Sequence, residues 1–272
     1  MWSFVVDSEK CVKCGRCVRE CSRFCLIMSD NGPVPTADAA EKCFHCQHCL
    51  CVCPTGAVAI EGVTAAECPP AAPIPSPDEM LNLIRARRSC RIFRPEPLPE
   101  ETLSALRNML AWTPTGCNAR SLQFLMVENP ATMDELREKS RSGLLAAFEH
   151  DPVPPAAAKF ARMKPMLERN INPIFRNAPH MLAVALPEDT PCPTMDPIIA
   201  LSYFELYCQT LGVGTLWCGL AYWLEEFMPE LFDRIGRTPG FRLGYVMLFG
   251  QPEWGFARGA VRELAAPLIV RS

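Results

Sequence analysis

The residues with the clearest capacity for chemistry are cysteines. Cys11, Cys14, Cys17 and Cys21 follow the spacing C-x2-C-x2-C-x3-C, and Cys43, Cys46, Cys49 and Cys53 repeat it, the second copy ending in Pro54. A tight loop with this spacing can wrap three thiolates onto three irons of one cubane while the fourth cysteine turns away. In proteins with two such motifs that fourth cysteine ligates the other cluster. The alternative is zinc, which C-x2-C thiolates also bind. Cys25 and Cys51 exceed the eight ligands and read as small buried hydrophobes. Lys10, Lys13, Arg16, Arg19 and Arg23 surround the first motif. They read either as a solvated face or as positive charge favouring a reduced, more negative cluster. His45 and His48 read as surface residues.

On these motifs residues 1–62 resemble bacterial-type ferredoxins carrying two 4Fe-4S clusters. The resemblance implies that Cys11, Cys14, Cys17 and Cys53 hold one cluster, and Cys43, Cys46, Cys49 and Cys21 the other. Ser22 stands where that family has a proline after the first motif.

The whole chain has 272 residues, enough for a small domain beside a large one. A net charge of −3 with 21% charged residues gives no basic field for nucleic acid or an anionic membrane surface. Of 16 cysteines, 10 lie between Cys11 and Cys53 in ligand spacing, and the start MWSFVVDSEK lacks a signal peptide's apolar core. A reducing, cytoplasmic setting is therefore expected. The most apolar long stretch, Ile198 to Leu224, is interrupted by Glu205, Gln209 and three glycines, so no membrane span is expected. Residues 63–77 hold five prolines and read as an extended spacer of about 3.1 Å per residue. Residues 78–272 form the second domain.

In that domain a helix is expected from Pro77 and Asp78, and a second near Glu100 to Trp112. A turn-rich loop, TPTGCNARS, precedes the strand QFLMVE, and Ala178 to Leu186 reads as a buried strand. Asp196 reads as the N-cap of a core helix with Pro197 first, its buried face made by Leu201, Phe204, Cys208 and Leu211 until Gly212 stops it. GVGTLWCGL reads as a glycine-bearing loop, LEEFMPELF as a helix and RLGYVMLFG as a strand. Strands separated by helices give an α+β fold.

These pieces resemble the FMN-dependent nitroreductase family through ARRSCRIF, TPTGCNARS, LGVGTLWCG and FARGA. The resemblance implies a central, mostly antiparallel sheet flanked by helices, and a homodimer with FMN at the subunit interface. Arg87 and Ser89, with Arg88 between them, would serve the FMN phosphate and ribityl chain, and Arg258 would add a phosphate cation. Fixed guanidinium groups suit a dianionic phosphate. Arg91 would sit near the flavin's N1 and O2, where positive charge stabilises the reduced ring. Pro114, Thr115 and Asn118 would approach from the partner subunit, while Trp217, Cys218 and Gly219 would line the ring. Arg120, Ser121 and Leu122 replace that family's Gln-Pro-Trp, and Arg120 would supply an extra cation. Cys117 and Cys218 read as packing residues.

Joined, the two resemblances describe an iron-sulfur flavoprotein. Two 4Fe-4S clusters would take electrons from an external low-potential donor, and FMN would pass them to a small organic acceptor such as a nitroaromatic, quinone or enone. The rival reading is a non-catalytic electron carrier or redox sensor. Residues 140–177, with Lys164, Arg169 and Arg176 as candidate substrate-facing cations, are expected to form a substrate lid.

Overall fold

The computed structural model describes residues 2–263, 265 and 267. Two compact units divide the chain between Ile74 and Pro75, with Cys117–Ala119 grouped with the first. Among the described residues no helix is long and apolar enough to cross a membrane.

The first unit is built from short pieces: β1 (Phe4–Val6), α1 (Arg16–Glu20), β2 (Leu26–Ser29), β3 (Gly32–Pro35), α2 (Ala39–Lys42), α3 (His48–Cys51) and β4 (Val58–Ile60). β1 pairs antiparallel with β4, and β2 with β3. The two cysteine loops share a backbone pattern. Lys13 and Gly15 take positive φ in the first, and His45 and Gln47 do so at the same motif positions in the second. Only Gly15 does this without a Cβ to accommodate. Beyond each loop the pattern continues: the Cys25 N–H donates to Cys21 Sγ at 3.3 Å, and the Ala57 N–H to Cys53 Sγ at 3.2 Å. Val63, Ala65 and Cys68 pack on this unit's core. The unit therefore runs past residue 62, and the segment without even a turn or bridge shortens to Pro69–Ser76.

The second unit begins with α4 (Pro77–Ala86), whose start is fixed by a capping box between Ser76 and Glu79. α5 (Glu100–Met109), β5 (Gln123–Val127), α6 (Pro130–Ala147), α7 (Pro155–Ala158) and α8 (Lys164–Glu168) follow. β6 (His180–Pro187), α9 (Met195–Thr210), β7 (Gly214–Trp217), α10 (Gly219–Leu224), α11 (Glu230–Asp233) and β8 (Phe241–Gly250) complete it. The four strands form one antiparallel sheet in the order β5-β6-β8-β7. β6 is covered on both faces, which is why its sequence is apolar from Met181 onward. Its Met181, Ala183 and Ala185 join a core with Leu136, Leu144 and Phe175, while Leu182 and Val184 join Leu106 and Phe204 on the other face. That alternation is the period-2 geometry of a strand.

The α+β architecture with a helix-flanked antiparallel sheet is as read from the sequence, and three local readings change. GVGTLWCGL is not a loop: Gly214–Trp217 is the edge strand β7, paired with β8. LEEFMPELF is not one helix, because Pro229 separates the turn after α10 from α11. Asp196 lies within the first turn of α9, with Thr194 at the N-cap position, and Leu211 falls beyond the helix and is exposed. Within residues 140–177, Phe160, Leu167, Ile174 and Phe175 are fully buried.

Candidate functional site

In the first unit the fold sorts the eight motif cysteines into two groups. Cys11, Cys14, Cys17 and Cys53 line one cavity, together with Val12, Gly15, Pro33 and Val58. Cys21, Cys43, Cys46 and Cys49 line the other, beside Trp2, Leu26, Phe44 and Ile60. Each cavity takes three cysteines from one motif and the fourth from its sister, because Cys21 and Cys53, just past α1 and α3, line the opposite cavity. Among the described residues no three His, Cys, Asp or Glu side chains converge as on a single metal ion; the thiols surround a space. Burial pushes the Cys49 thiol up to about 12, so a thiolate there needs a neutralising metal. The donor set fits iron-sulfur clusters, with soft thiolates in apolar surroundings.

Charges cluster at the rims. Lys13 and Arg16 line the first cavity, and Arg23 and His48 the second. Arg23 lies 4.7 Å from the Phe44 ring centroid, an arrangement that orients its charge. His45 and His48 are exposed and meet Glu61 and Glu20 at 2.7 and 2.9 Å. Cys25 is buried at 3% exposure, but Cys51 is exposed. It ends the four-residue α3 whose Cys49 and Leu50 already fill the inward face.

In the second unit, Arg88 and Arg258 line one cavity of about 420 Å³ with Gly214, Trp254 and Phe256. Arg88 is fixed by donating to the carbonyls of Arg85 and Arg87 at 2.8 and 2.7 Å. Gly214 has no room for a side chain, since a Cβ there would come within 2.7 Å of Cys90. Arg87 is not among these lining residues: its Nη1 donates to the buried Glu205 at 3.1 Å. Ser89 bridges to Thr215 beside β7, and Arg91 is exposed.

Thr115 and Arg120 meet at a separate cavity of about 380 Å³, with Arg107 and an apolar floor of Leu110, Leu122, Phe124 and Met126. The Arg120 N–H donates to Thr115 Oγ1 at 2.9 Å, and its guanidinium to the Ala111 carbonyl at 3.0 Å. Pro114 is exposed, and Asn118 is half-buried with φ 52°. Gly116 is required by close approach, because a Cβ there would lie 2.4 Å from Cys192 Sγ; its N–H donates to Asp196 Oδ1 at 2.9 Å.

Trp217 ends β7 with its ring 5.5 Å from Tyr245, which stacks on Tyr222 at 5.0 Å. Cys218 is buried and donates to the Ile174 carbonyl at 3.2 Å, and burial pushes its thiol up to about 11. That makes it a neutral packing thiol. A Cβ on Gly219 would meet the Tyr245 hydroxyl at 3.2 Å. Of the candidate substrate-facing cations, Lys164 pairs with Glu149 at 3.1 Å and Arg169 donates to the Pro165 carbonyl; Arg176 is exposed. Sequence reasoning missed Glu205, Tyr245, Trp254 and Phe256. The first two lie inside apolar helix and strand patterns that read as packing; Trp254 lies outside the motifs, and Phe256 opens FARGA, where only Arg258 was singled out.

Comparison with known proteins follows this division. A family described as the nitroreductase family matches residues 84–249, and one described as a 4Fe-4S binding domain matches residues 4–24. An uncharacterized ferredoxin of Methanocaldococcus jannaschii is 41% identical over 61 residues, covering 22% of this chain and 78% of that protein. A Bacteroides fragilis nitroreductase structure with bound FMN shares 21% identity and a TM-score of 0.58, over 71% of this chain and 99% of that one. A nitroreductase with bound FMN from Desulfitobacterium hafniense shares 24% identity and a TM-score of 0.54, over 68% and 94%. At these identities the two structures attest the fold.

Proposed function

This chain belongs to the nitroreductase family of FMN-dependent oxidoreductases and carries a 4Fe-4S ferredoxin domain at its N-terminus; from that premise we propose that it passes electrons from two clusters to FMN and on to a small organic acceptor. The observation that carries the proposal is the sorting of the eight motif cysteines into two cavities, each with three from one motif and the fourth from the other, Cys25 also lining the second. Clusters exchange single electrons, and FMN, when bound, supplies the two-electron chemistry an organic acceptor needs.

The chain's own residues would perform the binding. Arg88 and Arg258 present two guanidinium groups to a phosphate, beside the aromatic rims of Trp254 and Phe256. Trp217 and the Tyr222–Tyr245 stack give a rigid wall suited to a planar ring. Arg87 would hold its element in place through Glu205 rather than meet the phosphate first. Thr115 and Arg120 would act at the second cavity, where Arg120 adds positive charge above an apolar floor.

A homodimer is part of the proposal. One face of α9 buries Ala200, Leu201, Phe204 and Cys208, while Met195, Ile199, Tyr203 and Tyr207 form an exposed row at i, i+4 spacing on the other. A helix apolar on both faces calls for cover on both, and a second copy supplies it.

The test is anaerobic reconstitution followed by turnover with reduced viologen and a panel of nitroaromatics, quinones and enones. The expected result is FMN with about two clusters per chain and rapid reoxidation by at least one acceptor class. A protein that binds both cofactors but is reoxidised by none of these acceptors is a carrier or sensor, and the catalytic reading falls.

A further inference from the structure

The cavity of Cys21, Cys43, Cys46 and Cys49 is also lined by Trp2, which precedes β1 and packs on the first unit's core. Its indole Nε1 is buried and has no hydrogen-bond partner. Indole nitrogen can only donate, and a buried donor without an acceptor is costly enough that folded proteins rarely keep one. Four other described side-chain atoms share this condition, on Arg137, His180, Asp196 and Glu225. None of those residues lines either cysteine cavity. The first cavity receives Pro33 from β3 instead, a residue with no N–H and no polar side chain.

We propose that Trp2 donates an N–H···S hydrogen bond to the cluster held by Cys21, Cys43, Cys46 and Cys49, and thereby raises the reduction potential of that cluster alone. The inference rests on the reading that this cavity holds a 4Fe-4S cluster. On reduction the cluster gains one electron, the added charge spreads onto its sulfurs, and the indole N–H strengthens its bond without giving up the proton. Hydrogen bonds to the sulfurs are an established lever on cluster potential. Backbone donors reach Cys21 and Cys43 on this cluster and Cys53 on the other. On the other cavity the Thr55 hydroxyl lies 3.8 Å from Cys53 Sγ; what sets the indole apart is that its N–H is buried and without a partner.

The experiment is a potentiometric titration followed by electron paramagnetic resonance, on the wild type and on Trp2→Phe, with iron counted in both. Phenylalanine keeps an aromatic ring in the core and removes the N–H. The expected result is that one wave moves to more negative potential while the other stays. At fixed potential the reduced-to-oxidised ratio of the affected cluster should fall about three- to tenfold, a shift of up to about 59 mV. Equal iron with both waves unmoved overturns the inference and leaves the two-cluster reading standing. A wild type with iron for only one cluster overturns that reading and the inference with it. Should Trp2→Phe fail to hold its cluster, pulsed resonance on wild type with isotopically labelled indole nitrogen decides. A weak nitrogen coupling on one cluster signal supports the inference, and its absence overturns it.

Discussion

In the N-terminal unit no strand exceeds four residues, and three of the eight buried residues that form its core are cysteines. In the C-terminal unit β6 alone runs eight residues with seven buried, and apolar clusters cover both faces of its sheet. A unit as small as the first buries too little apolar surface to be secure without a metal, whereas the second has core enough to stand on packing. In one unit the cysteines are both structure and chemistry. In the other the cavities are set into a scaffold that does not depend on what they bind.

The largest effect expected from this contrast follows cluster removal. Chelation of iron from the full chain under mild oxidation should abolish amide hydrogen-exchange protection in β1 through β4, with β6 and β8 still protected. Retained protection around the cysteine loops would mean that the first unit folds without its clusters, and the contrast would break. A smaller effect is expected in the second unit. Replacing Arg88 and Arg258 together by Gln removes two charged partners worth about 1.5–3 kcal/mol each, so FMN affinity measured by fluorescence titration should fall at least tenfold with little change in Tm. Arg87→Gln should do the reverse on a smaller scale, lowering Tm by a few degrees because Glu205 loses its partner. Comparable loss of FMN affinity in Arg87→Gln would instead place that guanidinium at the phosphate.

The sequence carried these two units unequally. Metal spacing is a local signal, so the eight candidate ligands could be read from position, while their crossed grouping came from the ferredoxin resemblance; the loops show the same backbone repeat at Lys13, Gly15, His45 and Gln47. Strand β7 was hidden, because Gly214 and Thr215 belong to a glycine-bearing stretch whose strand character comes from pairing with β8 rather than from propensity. Asp196 looked like a cap because Asp-Pro suits a helix start. In the fold it is buried and accepts the Gly116 N–H from a segment 80 residues away. Glu205 was similarly opaque: a carboxylate inside an apolar helix has meaning only once Arg87 and Thr215 are brought to it. The exposed row on α9 could not be separated from its buried face by sequence, since both are apolar.

The central claim is that electrons reach FMN by way of the clusters. It is tested most directly by mixing oxidised, FMN-loaded protein anaerobically with a chemically reduced ferredoxin and following flavin bleaching in a stopped-flow instrument. The wild type is compared with a variant carrying Cys14→Ser and Cys46→Ser at equal FMN content. The account predicts that bleaching slows in the variant, with flavin reduction by dithionite unchanged. Equal bleaching rates in the two proteins would contradict it.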